Sequence, residues 1–418
     1  MKKLLRQCIP TTFINLMLGR VVLFLSQWRT KSPVSPDESA LIAAPGGGNI
    51  GDQAMLESFL HNTAGKKTII TTNHNPVSIP ARYRLDTRVI KMPGLVYGQP
   101  HTFLRDFIRL VGILPSLKTL SVIGADVMDG GYNPHASAMR ASIASFAVKA
   151  GVEARILGFS WNTKPHKKAL AALRQAGQRG VHLYVRDAVS LERLKQANVI
   201  NTVLTADVVF ANQNQQEHGI EDVLEFCQGK TVAIVNASGL IAKDIDQIEE
   251  YKTIINALLK QQYSVVLLPH VIRDGANDLT VCRKIAALFP EVYFVDRLLE
   301  PDQIKRLAKA AKLVVTGRMH LSIMSMNAGV PAIVLSTQGK VDGLMKFFAL
   351  PELSLEPVPG FGHKVVFLIE QLQGNYARYR SSITDNLEAV RSLSVKNFQP
   401  LGSLVCPKPE RNEASSIA

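Results

Sequence analysis

Three basic residues, Arg318, His320 and Lys340, fall within one short stretch, KLVVTGRMHLSIMSMNAGVPAIVLSTQGK, at positions suited to holding an anion. Leu313, Val314 and Val315 read as a buried strand. A turn carrying Arg318 and His320 follows, then an apolar helix, and then a second strand over 332–335 that leads to Lys340. In such a βαβ unit the turn after the first strand and the start of the helix lie at the carboxyl edge of the sheet. Free N–H groups and the helix dipole favour negative charge there. A cation at that place is unfavourable unless an anion compensates it, so the spacing predicts a phosphate or carboxylate ligand. The plainer alternative is a solvated Arg318 and a helix-start His320.

Other chemistry-bearing residues occupy equivalent corners. Arg186 follows the strand 182–185 and precedes a helix over 190–196, with Asp187 as its neighbour and candidate N-cap. The turn PGGGNIGD (45–52) joins the strand 39–44 to a helix over 53–60, and its glycines permit positive φ and close approach of a ligand. It fits neither GxGxxG nor GxxxxGK[ST]. Asp52 at the helix start is either an N-cap or a substrate-binding or acid–base group. GADVMDGGY (124–132) places Asp126 and Asp129 after the buried strand 118–123, where an Asx turn is the ordinary alternative. His270 ends the strand 264–268 in the loop PHVIRDGAND.

Strands alternate with helices along most of the chain, which predicts an α/β protein of two doubly wound, Rossmann-like domains facing across a cleft. The expected divisions are an amphipathic segment and proline-containing linker (1–38), a first domain (39–212), a second domain (219–360), a C-terminal helix (361–398) and a polar tail (399–418) that reads as disordered. NQNQQEH (212–218) has no apolar period and marks the boundary. The segments 203–205 and 207–210 read as strands closing the first half, and a kink is expected near Gly374 and Asn375.

The 418 residues suffice for two cores, and the composition is that of a globular protein. A formal net charge of +14 implies an anionic partner: a phosphorylated substrate, an acidic polysaccharide or lipid headgroups. The basic residues are scattered, without a block or an aromatic-interleaved basic strand, which argues against nucleic acid. Four cysteines lie far apart without a CxxC pair, so neither a zinc site nor a disulfide framework is indicated, and a reducing cytoplasm fits. Near the N-terminus, 9–28 is largely apolar but interrupted by Arg20, with basic residues before it and Arg29 and Lys31 after it. It is too short and too charged for a spanning helix, and it lacks a clear signal-peptide cleavage site. Two readings stand: an interfacial helix that holds the protein peripherally at the inner face of a membrane, or a helix packed on the body of the fold.

Taken together, GGGNIGDQAML (46–56), GADVMDGG (124–131), VRDAVSLERLK (185–195), ADVVF (206–210), LLPHVIRDGAND (267–278) and GRMHLSIMSMNAGVPAIVLSTQGKVDGLM (317–345) resemble the polysaccharide pyruvyl transferase family, whose architecture is similar to GT-B glycosyltransferases. Ala125 stands where a glycine is usual. The resemblance implies transfer of the pyruvyl group of phosphoenolpyruvate to a sugar or lipid-linked glycan, forming a cyclic ketal and releasing phosphate. It implies donor binding by Arg186, Arg318, His320 and Lys340; the chemistry of such a transfer then leads us to expect catalysis by His320 with Asp52 or Asp126, and acceptor contacts from Asn49, Asp52, Asp129 and His270. No metal and no cofactor beyond phosphoenolpyruvate as co-substrate are expected. Competing expectations are a GT-B-type glycosyltransferase using a nucleotide sugar and a non-catalytic glycan or membrane-surface scaffold.

Overall fold

Apolar runs such as AIVL and LVVT are too short for helices and are buried along their whole length, as strands covered on both faces must be. The computed structural model describes residues 11–26, 37–73, 77–241, 245–336 and 341–399. Lys340, most of the proline-containing linker and the tail from 400 onward lie outside the described residues. In the first half, β1 (Glu38–Ile42), β2 (Lys67–Thr71), β3 (Thr87–Lys91), β4 (Leu117–Ile123), β5 (Glu153–Phe159), β6 (His182–Val185) and β7 (Thr202–Leu204) form one sheet. In the second half, β8 (Val232–Asn236), β9 (Ser264–Leu267), β10 (Tyr293–Phe294), β11 (Leu313–Thr316), β12 (Ala332–Leu335) and β13 (Ser354–Leu355) form another.

The strand orders are β3-β2-β1-β4-β5-β6-β7 and β10-β9-β8-β11-β12-β13, and every pairing is parallel. Both sheets therefore reverse direction beside their first strand, between β1 and β4 and between β8 and β11. A ligand crevice opens at the carboxyl ends of the strands at such a reversal.

Two local readings change and one is borne out. The segment after β7 is not a strand: Asp207 caps a 3₁₀ turn, Val208–Ala211, by accepting from the Val209 N–H at 3.1 Å. An aspartate that bonds its own backbone in this way competes with a sheet ladder. The cap of the helix Ile50–Asn62 is Asn49, whose Oδ1 accepts from Gly51 N at 2.9 Å, so Asp52 is left free for another partner. At the C-terminus there are two helices, Phe361–Gly374 and Tyr376–Val395, divided where the kink is expected. The second returns to the first half, where Ser394 Oγ donates to Asp207 O at 2.6 Å and Asn397 Nδ2 to Ala206 O at 3.0 Å.

Besides this returning helix, a buried polar cluster joins the halves. Asp302, at the start of the helix Pro301–Ala310, pairs with Arg82 at 2.5 Å and Lys305 at 2.8 Å, and Lys305 Nζ also donates to Asn212 O at 3.1 Å. Glu57 from the helix Ile50–Asn62 belongs to the same cluster and accepts from Gln53 Nε2 at 2.9 Å. Burial pushes the Glu57 carboxyl from 4.5 up to about 7, and the Asp302 charge adds to the rise while Gln53, Lys305 and Arg82 oppose it. A folded-state value above the unfolded one gives stability that is fully present below the unfolded value and is lost as pH rises through the folded value. Glu57 should thus cost the native state up to ~3 kcal/mol between about pH 5 and about pH 8. Denaturant unfolding across that range should find Glu57→Gln less pH-dependent than the parent and more stable at the alkaline end.

Candidate active site

The two halves meet through backbone before any side chain is counted. Gly48 O accepts from Ile272 N at 2.7 Å, Ile50 N donates to His270 O at 3.1 Å, and Asn49 forms an antiparallel bridge with Val271. Gly48 adopts φ +81°, and a Cβ there would run into Ile272 O, so the close approach requires glycine. Three residues on, in the first turn of the helix Ile50–Asn62, a Cβ on Gly51 would meet the ring of His320. The glycine-rich turn of the first half is therefore a seat for a histidine of the second.

On the second-half side the organising group is Asp278, the fully buried first residue of the helix Asp278–Ala286. Its carboxylate accepts from Arg318 Nε at 3.1 Å and Nη2 at 2.5 Å, and from the backbone N–H groups of Gly239, His270 and Val271 at 2.8, 3.0 and 3.0 Å. Asn236 Nδ2 adds a bond at 3.2 Å. One carboxylate thus ties together the loops after β8, β9 and β11 and fixes the Arg318 fork bidentately. The anion expected to compensate Arg318 at its helix start is, in this structure, the protein's own Asp278.

Arg186 is treated alike on the first-half side. Its Nη1 donates to Asp207 Oδ2 at 2.9 Å and its Nε to Ser160 Oγ at 2.5 Å, with both members of the ion pair buried. Its partner is Asp207 and not the adjacent Asp187, which caps the helix Ala188–Gln196 through Ser190 N at 2.7 Å. His320 Nε2 stands 3.7 Å from the same Asp207 oxygen, so Arg186, Asp207 and His320 form one cluster across the two halves. Among the described residues, Arg186 Nη2, Arg318 Nη1 and His320 Nε2 make no protein hydrogen bond.

Asp52 accepts from Arg273 Nη2 at 2.7 Å, while Arg273 Nε holds Gly47 O at 2.9 Å. Burial raises the Asp52 carboxyl above its ordinary value; Arg273 and then His320 pull it back, and Asp126 adds to the rise. Asp126 accepts from Tyr132 Oη at 3.0 Å, and its charge raises the Tyr132 phenol, to which Arg318 is near enough to act in the opposite sense. Arg273, His320 and Asp126 are thus within electrostatic reach of Asp52, and Asp126 and Arg318 within reach of Tyr132.

The expected acceptor contacts divide. Asn49 caps a helix, and Asp129, almost wholly buried, closes an Asx turn onto Gly131 N at 2.8 Å. His270 is only 1% exposed, enclosed by the inter-half bridge, and among the described residues neither ring nitrogen has a protein partner. Burial, with the charges of His320 and Arg318, holds its imidazole well below the ordinary value, so it is neutral near pH 7. Asp207, Asp278, Arg273 and Tyr132 were missed as site residues. The first three lie inside the motif stretches, but nothing in their spacing names their partners. Among the described residues no three His, Cys, Asp or Glu side chains converge as a metal site requires.

Two parallel doubly wound sheets with their reversal points turned toward a shared crevice define a GT-B-like enzyme fold. The solved structures agree. A UDP-N-acetylglucosamine 2-epimerase from Neisseria meningitidis, bound to UDP-GlcNAc, is 12% identical with a TM-score of 0.55, covering 86% of this chain and 98% of its own. A putative enzyme of the same name from Listeria monocytogenes is 10% identical with a TM-score of 0.56, covering 87% and 94%. At such identities the likeness concerns the fold alone. The polysaccharide pyruvyl transferase family model matches residues 49–339, and the chain belongs to that family. The amylovoran biosynthesis protein AmsJ of Erwinia amylovora is 22% identical over 237 residues, 51% of this chain; the chain spans about half the length (56%) of this curated relative.

Removing one member of a buried ion pair leaves the other charge stranded, at a cost of roughly 3–5 kcal/mol. Asp278→Ala strands Arg318 together with three backbone donors, so its denaturation midpoint should fall by that order while the m-value stays near the parent's. An unchanged midpoint would mean that Asp278 does not hold the loops.

Proposed function

We propose that the protein transfers the pyruvyl group of phosphoenolpyruvate onto two hydroxyls of one sugar in a polysaccharide or glycan precursor, free or lipid-linked, in the cytoplasm. The observation that carries this reading is the pair of arginines, each aimed by a buried aspartate, on either side of His320 in a chain of this family. Phosphoenolpyruvate presents a phosphate and a carboxylate, and two partly occupied guanidinium forks suit two such groups. By the family resemblance Lys340 joins them.

The reaction begins with proton delivery to C3 of the enol, which becomes a methyl group as positive charge develops at C2. His320, its Nε2 without a hydrogen-bond partner, is the general acid. A sugar hydroxyl adds to C2 and gives up its proton to a carboxylate, Asp52 or Asp126. The C2–O bond to phosphate then breaks, with Arg186 and Arg318 stabilising the departing anion, and the second hydroxyl closes the ketal while losing its proton. One of the two hydroxyl protons balances that placed on C3, and the other leaves with phosphate.

Incubation with phosphoenolpyruvate and a panel of free and lipid-linked glycans should release phosphate in step with a pyruvyl mass increment on one glycan. His320→Ala should lower kcat by roughly 10²–10⁴-fold. Arg318→Lys, which loses the fork, should chiefly raise KM for phosphoenolpyruvate. Turnover of nucleotide sugars to nucleoside diphosphate, with phosphoenolpyruvate untouched, would replace this reading with glycosyl transfer.

A further inference from the structure

The helix Thr11–Ser26 has two apolar faces, and among the described residues only one is used within the fold. Its inner face is fixed in rotation on the helices Pro100–Ile113 and Pro134–Lys149. Asn15 Nδ2 donates to Gly98 O at 3.1 Å, Thr12 Oγ1 meets His135 Nδ1 at 2.8 Å, Leu23 is buried, and Gly19 lies so close to Phe146 that a Cβ would collide with the ring. On the outer face Phe13, Met17 and Val21, four residues apart, are 55%, 43% and 52% exposed. Ile108 on the helix Pro100–Ile113 is 52% exposed as well. Single exposed apolar residues are ordinary, but a helical row of them with its rotation fixed is not.

Apart from the buried Asp106, the charged residues on the helices Thr11–Ser26 and Pro100–Ile113 are all basic. Arg20 lies within the row, and its only described contact is the Met17 sulfur at 4.0 Å. Arg179 is close enough for the Arg20 charge, after burial, to lower its guanidinium. Arg105 and Arg109 are about half exposed and share a single buried carboxylate, Asp106, at 2.9 and 3.6 Å, which leaves a surplus cation. In the sequence Lys2, Lys3 and Arg6 precede the helix, and Arg29 and Lys31 follow it. Among the described residues no helix is long and apolar enough to cross a membrane.

We propose that the outer face of the helix Thr11–Ser26 docks on an anionic phospholipid bilayer, with Phe13, Met17 and Val21 entering the headgroup boundary and Arg20, Arg105, Arg109 and Arg179 facing lipid phosphates. Apolar side chains accompanied by a surplus of cations suit a bilayer surface, whereas a protein partner would need a matching acidic patch. The inference is independent of the pyruvyl-transfer reading: vesicle binding without phosphate release, or the reverse, separates the two.

Flotation of the full chain with vesicles of phosphatidylcholine, with and without phosphatidylglycerol, tests it. Binding is expected only with the anionic lipid and should weaken as salt is raised. The triple variant Phe13→Ser, Met17→Ser, Val21→Ser leaves the packed face intact and should bind at least roughly tenfold more weakly. Arg20→Glu should cost about fivefold or more. Unchanged unfolding midpoints show that both variants fold. Equal binding to both vesicles, or a triple variant that binds like the parent, overturns the proposal. So does an absence of vesicle binding together with concentration-dependent self-association that the triple variant abolishes, which would make this face a contact between copies of the chain.

Discussion

Two guanidinium groups, those of Arg186 and Arg318, are taken almost wholly out of water, and each is tolerated there only because a buried aspartate faces it. The desolvation of two such charges is recovered only with good geometry and further hydrogen bonds. Both sites meet that condition: Ser160 completes the first, and a set of backbone donors around Asp278 completes the second. The pairings also set direction. A guanidinium fixed at Nε and one Nη has little freedom left, so its remaining nitrogen is aimed before any ligand arrives, which is what preorganised anion recognition needs.

Asp207 carries this constraint from one half of the molecule to the other. Its carboxylate takes Arg186, caps its own turn and stands beside His320, while its carbonyl oxygen is held by Ser394 at the end of the last helix. Asn397 adds bonds to Ala206 and Gly158, so the C-terminal helix clamps the segment from which the site cluster grows. A returning helix of this kind, continuous with the second half and hydrogen-bonded to the first, joins the two halves a second time, and the backbone bridge between Gly48 and Ile272 adds a third contact. The distance between Arg186 and His320 is then a property of the whole chain and not of either sheet.

The architecture was legible because parallel strands buried on both faces leave continuous apolar runs, and because turns at strand ends need glycine, asparagine and aspartate. The corners holding Arg186, Arg318, His320 and Asp52 could therefore be placed from sequence. Their partners could not. Asp207 lies 21 residues from Arg186, and Asp278 lies 40 from Arg318. No helical or strand period spans such separations, and the adjacent Asp187 offered a nearer but wrong candidate. The misread strand at 207–210 has the same origin, since the apolar residues Val208, Val209 and Phe210 are buried as a strand would be but are held by a capped turn. His270 illustrates the converse. Its place at a strand end was readable, yet its enclosure follows from a backbone bridge to a segment more than two hundred residues away.

The local charge balance bears on how an anion could be held. Arg186, Arg273 and Arg318 are matched by Asp207, Asp52 and Asp278, each in direct contact, and Asp126 adds a further carboxylate nearby. The arginines therefore supply directed N–H groups more than surplus positive charge. For a ligand carrying both phosphate and carboxylate, as the pyruvyl-transfer reading requires, His320 is the group beside these pairs left to present charge. His270 is a poor candidate, because burial beside Arg318 and His320 holds it neutral. Under the pyruvyl-transfer reading, a proton on His320 would favour the donor's entry and then be the one delivered to C3, so that binding and the first chemical step would draw on the same charge.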